Sequence, residues 1–252
     1  MTEQPRSYQT EAIIIRRTKL GEADRILTLF TPEYGRLRAI AKGSRRPGSK
    51  FGGHVEMLTH SLLQLARGHN LEIVTQAQTI NSFMPLREDL KRLSSGLYIA
   101  DLIDAFISED IEDRDLFDFV ILTLKELSTA DNLDTVLRYF ELHLLQKTGY
   151  QPQLQTCSGC GAKLYPGTNC FSAAHGGVLC VECGFDEPAA RSISLNALKV
   201  LRLWQNCDYA TAYKVNINPE LTIEMESILR EYIRHVLEKQ LKSTAFLDML
   251  RQ

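Results

Sequence analysis

The chain has 252 residues, 44% of them apolar and 24% charged, enough for one large domain or two to three small ones and ordinary for a packed globular protein. No apolar run approaches the roughly 18 residues of a membrane span, and Met1 to Ser7 lacks the apolar stretch of a signal peptide, so the expectation is a cytoplasmic protein with reduced thiols. The net charge of −2 hides a polarity: residues 1–80 hold 12 Lys/Arg against 7 Asp/Glu, residues 81–252 hold 17 against 24, and 81–135 alone hold 5 against 13. Such asymmetry points to a nucleic-acid face at one end and a solvated or protein-binding face at the other.

Period-two patterns and β-branched runs predict strands over Gln9–Arg17, Arg25–Thr31, Arg36–Ala41, Val55–Ala66 and Leu71–Ile80. Pro32 stops the second, Tyr34-Gly35 turns into the third, and a Gly-rich connection from Gly43 to Gly53 precedes the fourth. Five strands in about 75 residues fit a small barrel of the OB type; the count alone also fits an SH3-like barrel. From Pro85 the period becomes helical, with Leu86, Leu90, Leu93, Leu97, Ile99, Ala100, Ile103 and Phe106 on one helix, then Leu116–Leu127 and Val136–Lys147. Helical patterning resumes at Ser194–Trp204 and Leu221–Leu241. The expected class is α+β: a five-stranded OB-type barrel over 1–80, a helical bundle over 81–150 and 192–252, and a zinc element over 151–191 embedded in it.

Within 151–191, Cys157-Ser-Gly-Cys160 and Cys180-Val-Glu-Cys183 form two C-x2-C pairs separated by nineteen residues. Two such knuckles bring four thiolates onto one Zn²⁺ and saturate its tetrahedron, so one structural ion is expected and no metal-borne catalysis. Redox-active pairs are the alternative. Cys170 and Cys207 read as small buried hydrophobes, and His175 as a spare donor that four better ligands make unnecessary.

Arg36, Arg38, Lys42, Arg45, Arg46 and Lys50 fall within 15 residues that contain no acid. Arginine forks on a Gly/Ser/Pro loop suit phosphate, while the bland alternative is a solvated loop. Arg16, Arg17, Lys19 and Arg25 extend the patch, and Tyr34 and Phe51 are candidates for base stacking. No recognition helix is evident, so the contact expected is with the backbone. There is no P-loop, no G-x-S-x-G and no His-x-x-x-His. Asp101, Asp104, Asp110 and Asp113 read as solvated helix surface rather than nuclease carboxylates, which argues against an enzyme. A zinc-ribbon and OB protein that binds RNA is the rival class.

In order, Glu22–Thr31, Tyr34-Gly35-Arg36-Leu37, Ala41–Arg46 with Ser49, the four cysteines and His175-Gly-Gly177 resemble the recombination mediator family RecO. The resemblance implies binding of single- and double-stranded DNA, annealing of complementary strands, and loading of RecA onto DNA covered by the single-strand-binding protein SSB, together with RecR. It implies nucleoid association, and contact with the acidic C-terminal tail of SSB. Lys199, Arg202, Arg230, Arg234 and Lys239 on the C-terminal helices are loose candidates for that tail, with a solvated helix face as the alternative.

Overall fold

The computed structural model describes residues 6–238 and 241–249. Lys239 and Met1–Pro5 lie outside them. Five strands, β1 (Ser7–Leu20), β2 (Asp24–Thr31), β3 (Gly35–Ala41), β4 (His60–Ala66) and β5 (Glu72–Asn81), close a barrel in the order β1-β2-β3-β5-β4. Closure comes from β1 pairing antiparallel with β4 and from a short parallel pairing of Ala39-Ile40 with Glu72-Ile73. That Greek-key order is the OB arrangement. Alternation fills its centre: Ala12, Ile14, Leu27, Leu29, Ala39, Leu63, Leu65 and Val74 all point inward and are buried. Each larger aliphatic chain taken from water there contributes about 1.5–3 kcal/mol.

Ile13-Ile14-Ile15 breaks the alternation because this part of β1 is covered on both faces. Ile14 lies in the barrel, a bulge follows between Ile14 and Arg16, and Ile13 faces out beside Phe30, whose ring meets Phe117 at 5.4 Å. The fourth strand begins at His60 rather than at the expected Val55. Residues Gly52–Val55 instead form a 3-10 turn that inserts Val55, with Phe51, into the barrel core. Leu58, at φ 61°, then redirects the chain into β4.

After the barrel come α1 (Met84–Glu88), α2 (Leu90–Phe106), α3 (Arg114–Thr129) and α4 (Leu133–Lys147). Asp89 and Asn132 cap α2 and α4 with their side-chain oxygens. The segment from 151 carries a three-stranded sheet in the order β7-β6-β8, made of β6 (Asn169–Ser172), β7 (Gly177–Leu179) and β8 (Arg191–Ile193), and the short helix α5 (Val181–Phe185). Helices α6 (Leu195–Trp204), α7 (Tyr209–Tyr213), α8 (Pro219–Leu237) and α9 (Lys242–Met249) follow. The helix read over Leu221–Leu241 stops at Leu237, where Glu238 turns left-handed at φ 52°. Cys207 occupies the turn between α6 and α7.

The compact units cut the chain differently from the sequence segments. One comprises Met1–Thr129 with Leu241–Gln252, the other Ala130–Gln240. In the first, the barrel keeps α1 to α3 and α9. In the second, α4, α6, α7 and α8 accompany the small sheet, whose Phe171 meets Tyr232 of α8 edge-on at 5.6 Å. Arg138 and Glu141 of α4, both fully buried, form an ion pair of 2.7 Å, and Arg138 also reaches Glu226 of α8 at 3.3 Å.

Candidate nucleic-acid interface and metal centre

The cations expected on phosphate divide into two groups. Arg16 lies 2.7 Å from Asp104 and 3.8 Å from Asp101. Arg36 lies 3.6 Å from the Asp104 carboxylate and 3.3 Å from Glu109, and it donates to the Asp104 carbonyl at 3.2 Å. Arg17 and Arg25 have the inward parity of Leu27, which carries both to the barrel end and to Glu56, at 2.5 and 3.7 Å. These four arginines are engaged within the first unit.

Arg38, Lys42, Arg45, Arg46 and Lys50 are exposed, and none forms an ion pair among the described residues. Arg38 projects from β3 and the other four from the loop that follows it. That loop is tethered at several points. Gly43 N–H donates to Asp24 Oδ1 at 2.7 Å, Arg45 N–H to the Ala23 carbonyl at 2.9 Å, and the Arg45 guanidinium to the Gly21 carbonyl at 3.0 Å. Lys50 Nζ donates to the Thr75 carbonyl at 3.1 Å and stands 5.1 Å over the Phe51 ring. Phe51 itself is in the barrel core, so it does not offer a face for stacking, and Tyr34 packs on Tyr8 at 4.8 Å. Lys19 is exposed near the end of β1.

Of the aspartates read as solvated helix surface, Asp110 is exposed, in the linker after α2, while Asp101, Asp104 and Asp113 are partly buried. Asp104 is 15% exposed and sits between Arg16 and Arg36. Asp113 caps α3 through Leu116 N–H at 2.8 Å and donates its own N–H to the Pro32 carbonyl. Arg36 N–H donates to Ser108 O and Asp110 N–H to Tyr34 O, both at 3.1 Å, so the linker between α2 and α3 is laced to the β2–β3 turn. Gly35, at φ 57°, makes this approach possible: a Cβ there would stand 2.6 Å from the Ser108 oxygen. Glu11 binds His60 at 2.8 Å and Arg114 at 3.1 Å. Burial holds the His60 imidazole below its usual range, against the pull of Glu11.

In the second unit Cys157, Cys160, Cys180 and Cys183 converge, with all four sulfurs within 4.8 Å of one another. Gly161 supplies the left-handed turn of the first knuckle at φ 72°. Gly159 lets Cys183 come close, since a Cβ there would lie 3.1 Å from its sulfur. Burial raises the Cys157 thiol, but N–H donors from Cys160, Cys180 and Gly159 outweigh it and bring the group down to about 6. Four convergent thiols with a partly prepared thiolate are the donor set of a closed metal site that could hold one ion. His175 is outside it, bonded to Ser172 Oγ at 3.1 Å and near Glu187. Cys170 and Cys207 also stand outside the cluster and are partly buried.

Family models for the N-terminal and C-terminal parts of recombination protein O match residues 4–83 and 87–245. The chain belongs to the RecO family. A DNA repair protein RecO of Roseiflexus sp. is 44% identical over 98% of this chain and 87% of its own length. One of Dehalococcoides mccartyi is 40% identical over 98% and 97%, and one of Desulforamulus reducens 33% identical over 96% and 94%. The N-terminal RecO match coincides with the OB barrel. No helix among the described residues is long and apolar enough to cross a membrane.

In this RecO chain the structure scatters the helix cations considered for an acidic tail. Arg202 donates to the Leu154 carbonyl at 2.7 Å, and Arg230 pairs with Glu226 at 2.8 Å. Arg234 is exposed on α8. Lys199 borders a cleft of about 570 Å³ between the starts of α6 and α8, beside Glu220 and Glu224. Sequence reasoning missed the ion-pair lacing of Arg16 and Arg36. The excess of acid in 81–135 was its signal, because an acidic segment directly after a basic barrel is a natural counterpart to it.

Proposed function

We propose that this chain is a recombinational repair mediator that binds single- and double-stranded DNA through Arg38, Lys42, Arg45, Arg46 and Lys50. It anneals complementary strands and, with RecR, loads RecA onto SSB-coated DNA at the nucleoid, and it does so as a binding protein rather than an enzyme. The observation that carries the reading is a tethered loop of exposed cations, without ion pairs among the described residues, on an OB barrel in a chain of the RecO family. Annealing makes and breaks no covalent bond. It needs two polyanions brought together with their charge offset and their bases free, and the loop supplies the first. Readout is of backbone, so affinity falls steeply with salt.

The four cysteines hold one structural Zn²⁺. A Zn–S bond of about 2.3 Å places tetrahedral sulfurs about 3.8 Å apart, and Cys160 Sγ and Cys180 Sγ are separated by 3.8 Å. Contact with the acidic SSB tail involves exposed cations of the C-terminal helices, with Lys199 and Arg234 remaining accessible.

The test is annealing of SSB-coated complementary oligonucleotides. Addition of the protein accelerates duplex formation, and the variant Arg45→Glu/Arg46→Glu does not. No acceleration by the unaltered protein would refute the proposal.

A further inference from the structure

The outward face of β1, β4 and β5 bears a row of amides. Gln9, Gln64 and Gln76 are direct cross-strand partners, and Gln78 follows two residues on, opposite Leu62. Gln9, Gln76, Gln78 and Ile80 are exposed and Gln64 is half-buried. No hydrogen bond among the described residues engages the side-chain amide of any of these four glutamines; Thr75 Oγ1 donates to the Gln64 backbone carbonyl. The charged side chain of the adjoining row is Glu11, whose two oxygens are taken by His60 and Arg114. This patch is therefore neutral and rich in unused donors and acceptors.

Its border is cationic. Beyond Ile73, β5 has no strand on its β3 side, and the loop after β3 runs along that edge instead. Lys50 Nζ bonds the Thr75 carbonyl, one residue before Gln76, and His54 Nδ1 accepts from Thr79 N–H at 3.2 Å. Of the cations proposed to grip phosphate, Lys50 thus adjoins the amides directly, at the end of the loop that carries Lys42, Arg45 and Arg46. On the far side of the patch, exposed Arg6 precedes β1.

We infer that this face is a base-contacting platform for single-stranded DNA. A primary amide offers two donors and an acceptor, which matches the edge of an unpaired base, and glutamine pairs with adenine through two bonds at once. Cross-strand neighbours stand about 5 Å apart, so the row spans successive splayed bases while the loop holds their phosphates. Leu62 and Ile80 supply apolar contact with base faces. Duplex DNA hides its Watson–Crick edges and presents the others only at the floor of its grooves, which a broad barrel face does not enter, so it does not use the row. The inference rests on the loop being the phosphate contact proposed above, and it gives an OB barrel whose base platform lies on β4–β5.

The test compares an oligodeoxyadenosine with an abasic strand of equal length and equal charge. The unaltered protein binds the base-bearing strand more tightly, on the order of tenfold per amide contact. The variant Gln64→Ala/Gln76→Ala/Gln78→Ala loses that preference and keeps its affinity for the abasic strand and for duplex. The single variant Gln76→Glu, which leaves the fold undisturbed at an exposed position, weakens the preference as well. Preference retained by the triple variant, or absent from the unaltered protein, overturns the platform while leaving the loop intact. If the unaltered protein binds neither strand, the loop reading fails and the platform falls with it.

Discussion

Arg36 and Arg45 are both arginines of the basic stretch, yet on the proposed reading they have opposite duties. Truncating Arg36 to alanine removes a hydrogen bond to the Asp104 carbonyl and two ion pairs, with Asp104 and Glu109. The hydrogen bond from a charged donor is worth about 1.5 kcal/mol or more, and partly exposed pairs about 0.2–1 kcal/mol each. The sum is about 2–3 kcal/mol. With a urea slope of about 1–3 kcal/mol/M, the unfolding midpoint falls by about 1 M. Circular dichroism measures that fall, and fluorescence of Trp204, the single tryptophan, reports the Ala130–Gln240 unit as an internal reference. Arg36→Ala lowers the midpoint of the barrel unit and leaves the salt slope of DNA binding unchanged. Arg45→Ala/Arg46→Ala does the reverse. An Arg36→Ala protein that unfolds at the original midpoint but loses a phosphate contact would refute this division.

Gly35→Ala places a methyl group 2.6 Å from the Ser108 oxygen and forces φ 57° on an L-residue. The conformation alone costs about 1–2 kcal/mol, and amide hydrogen exchange should accelerate across residues 107–113. Cys157→Ser, or removal of metal by a strong chelator, should expose 151–191 to proteolysis while DNA binding persists; unchanged protease resistance would contradict a closed metal site. His60 is held below its usual value of 6.5 by burial, so the unfolded chain binds more protons as pH falls through 6.5. The contribution of His60 should therefore be complete above pH 6.5 and decline below it, so stability falls less steeply over that range in His60→Gln. His143, lowered in the same direction by burial, adds slope of the same sign.

The barrel was legible because its alternation is regular: Leu27 and Leu29, Leu63 and Leu65 take one face without exception. The knuckles were legible because a C-x2-C pair is a local turn whose spacing carries its geometry. The start of β4 was not, since Val55 is apolar for a reason other than strand pairing: it plugs the barrel from a 3-10 turn. The limits of the helical parts were hidden for a related reason. Helical periodicity reports that a face is buried and not which partner buries it, so α2 and α3 read as members of one bundle with α8. The basic stretch was visible as composition, but its division was not. Arg36 and Arg38 occupy the same outward parity of β3, and only the long-range approach of Asp104 and Glu109 separates a structural cation from an available one.

On the proposed reading, five exposed cations on and after β3 hold nucleic acid by its phosphates. A titration of single-stranded DNA affinity against salt tests it most directly. Five neutralised phosphates predict a log–log slope of about −3.5, and Arg45→Ala/Arg46→Ala should make it shallower by about 1.4. A flat line, or a slope that the double substitution leaves unmoved, would contradict the assignment of the loop as the grip on DNA.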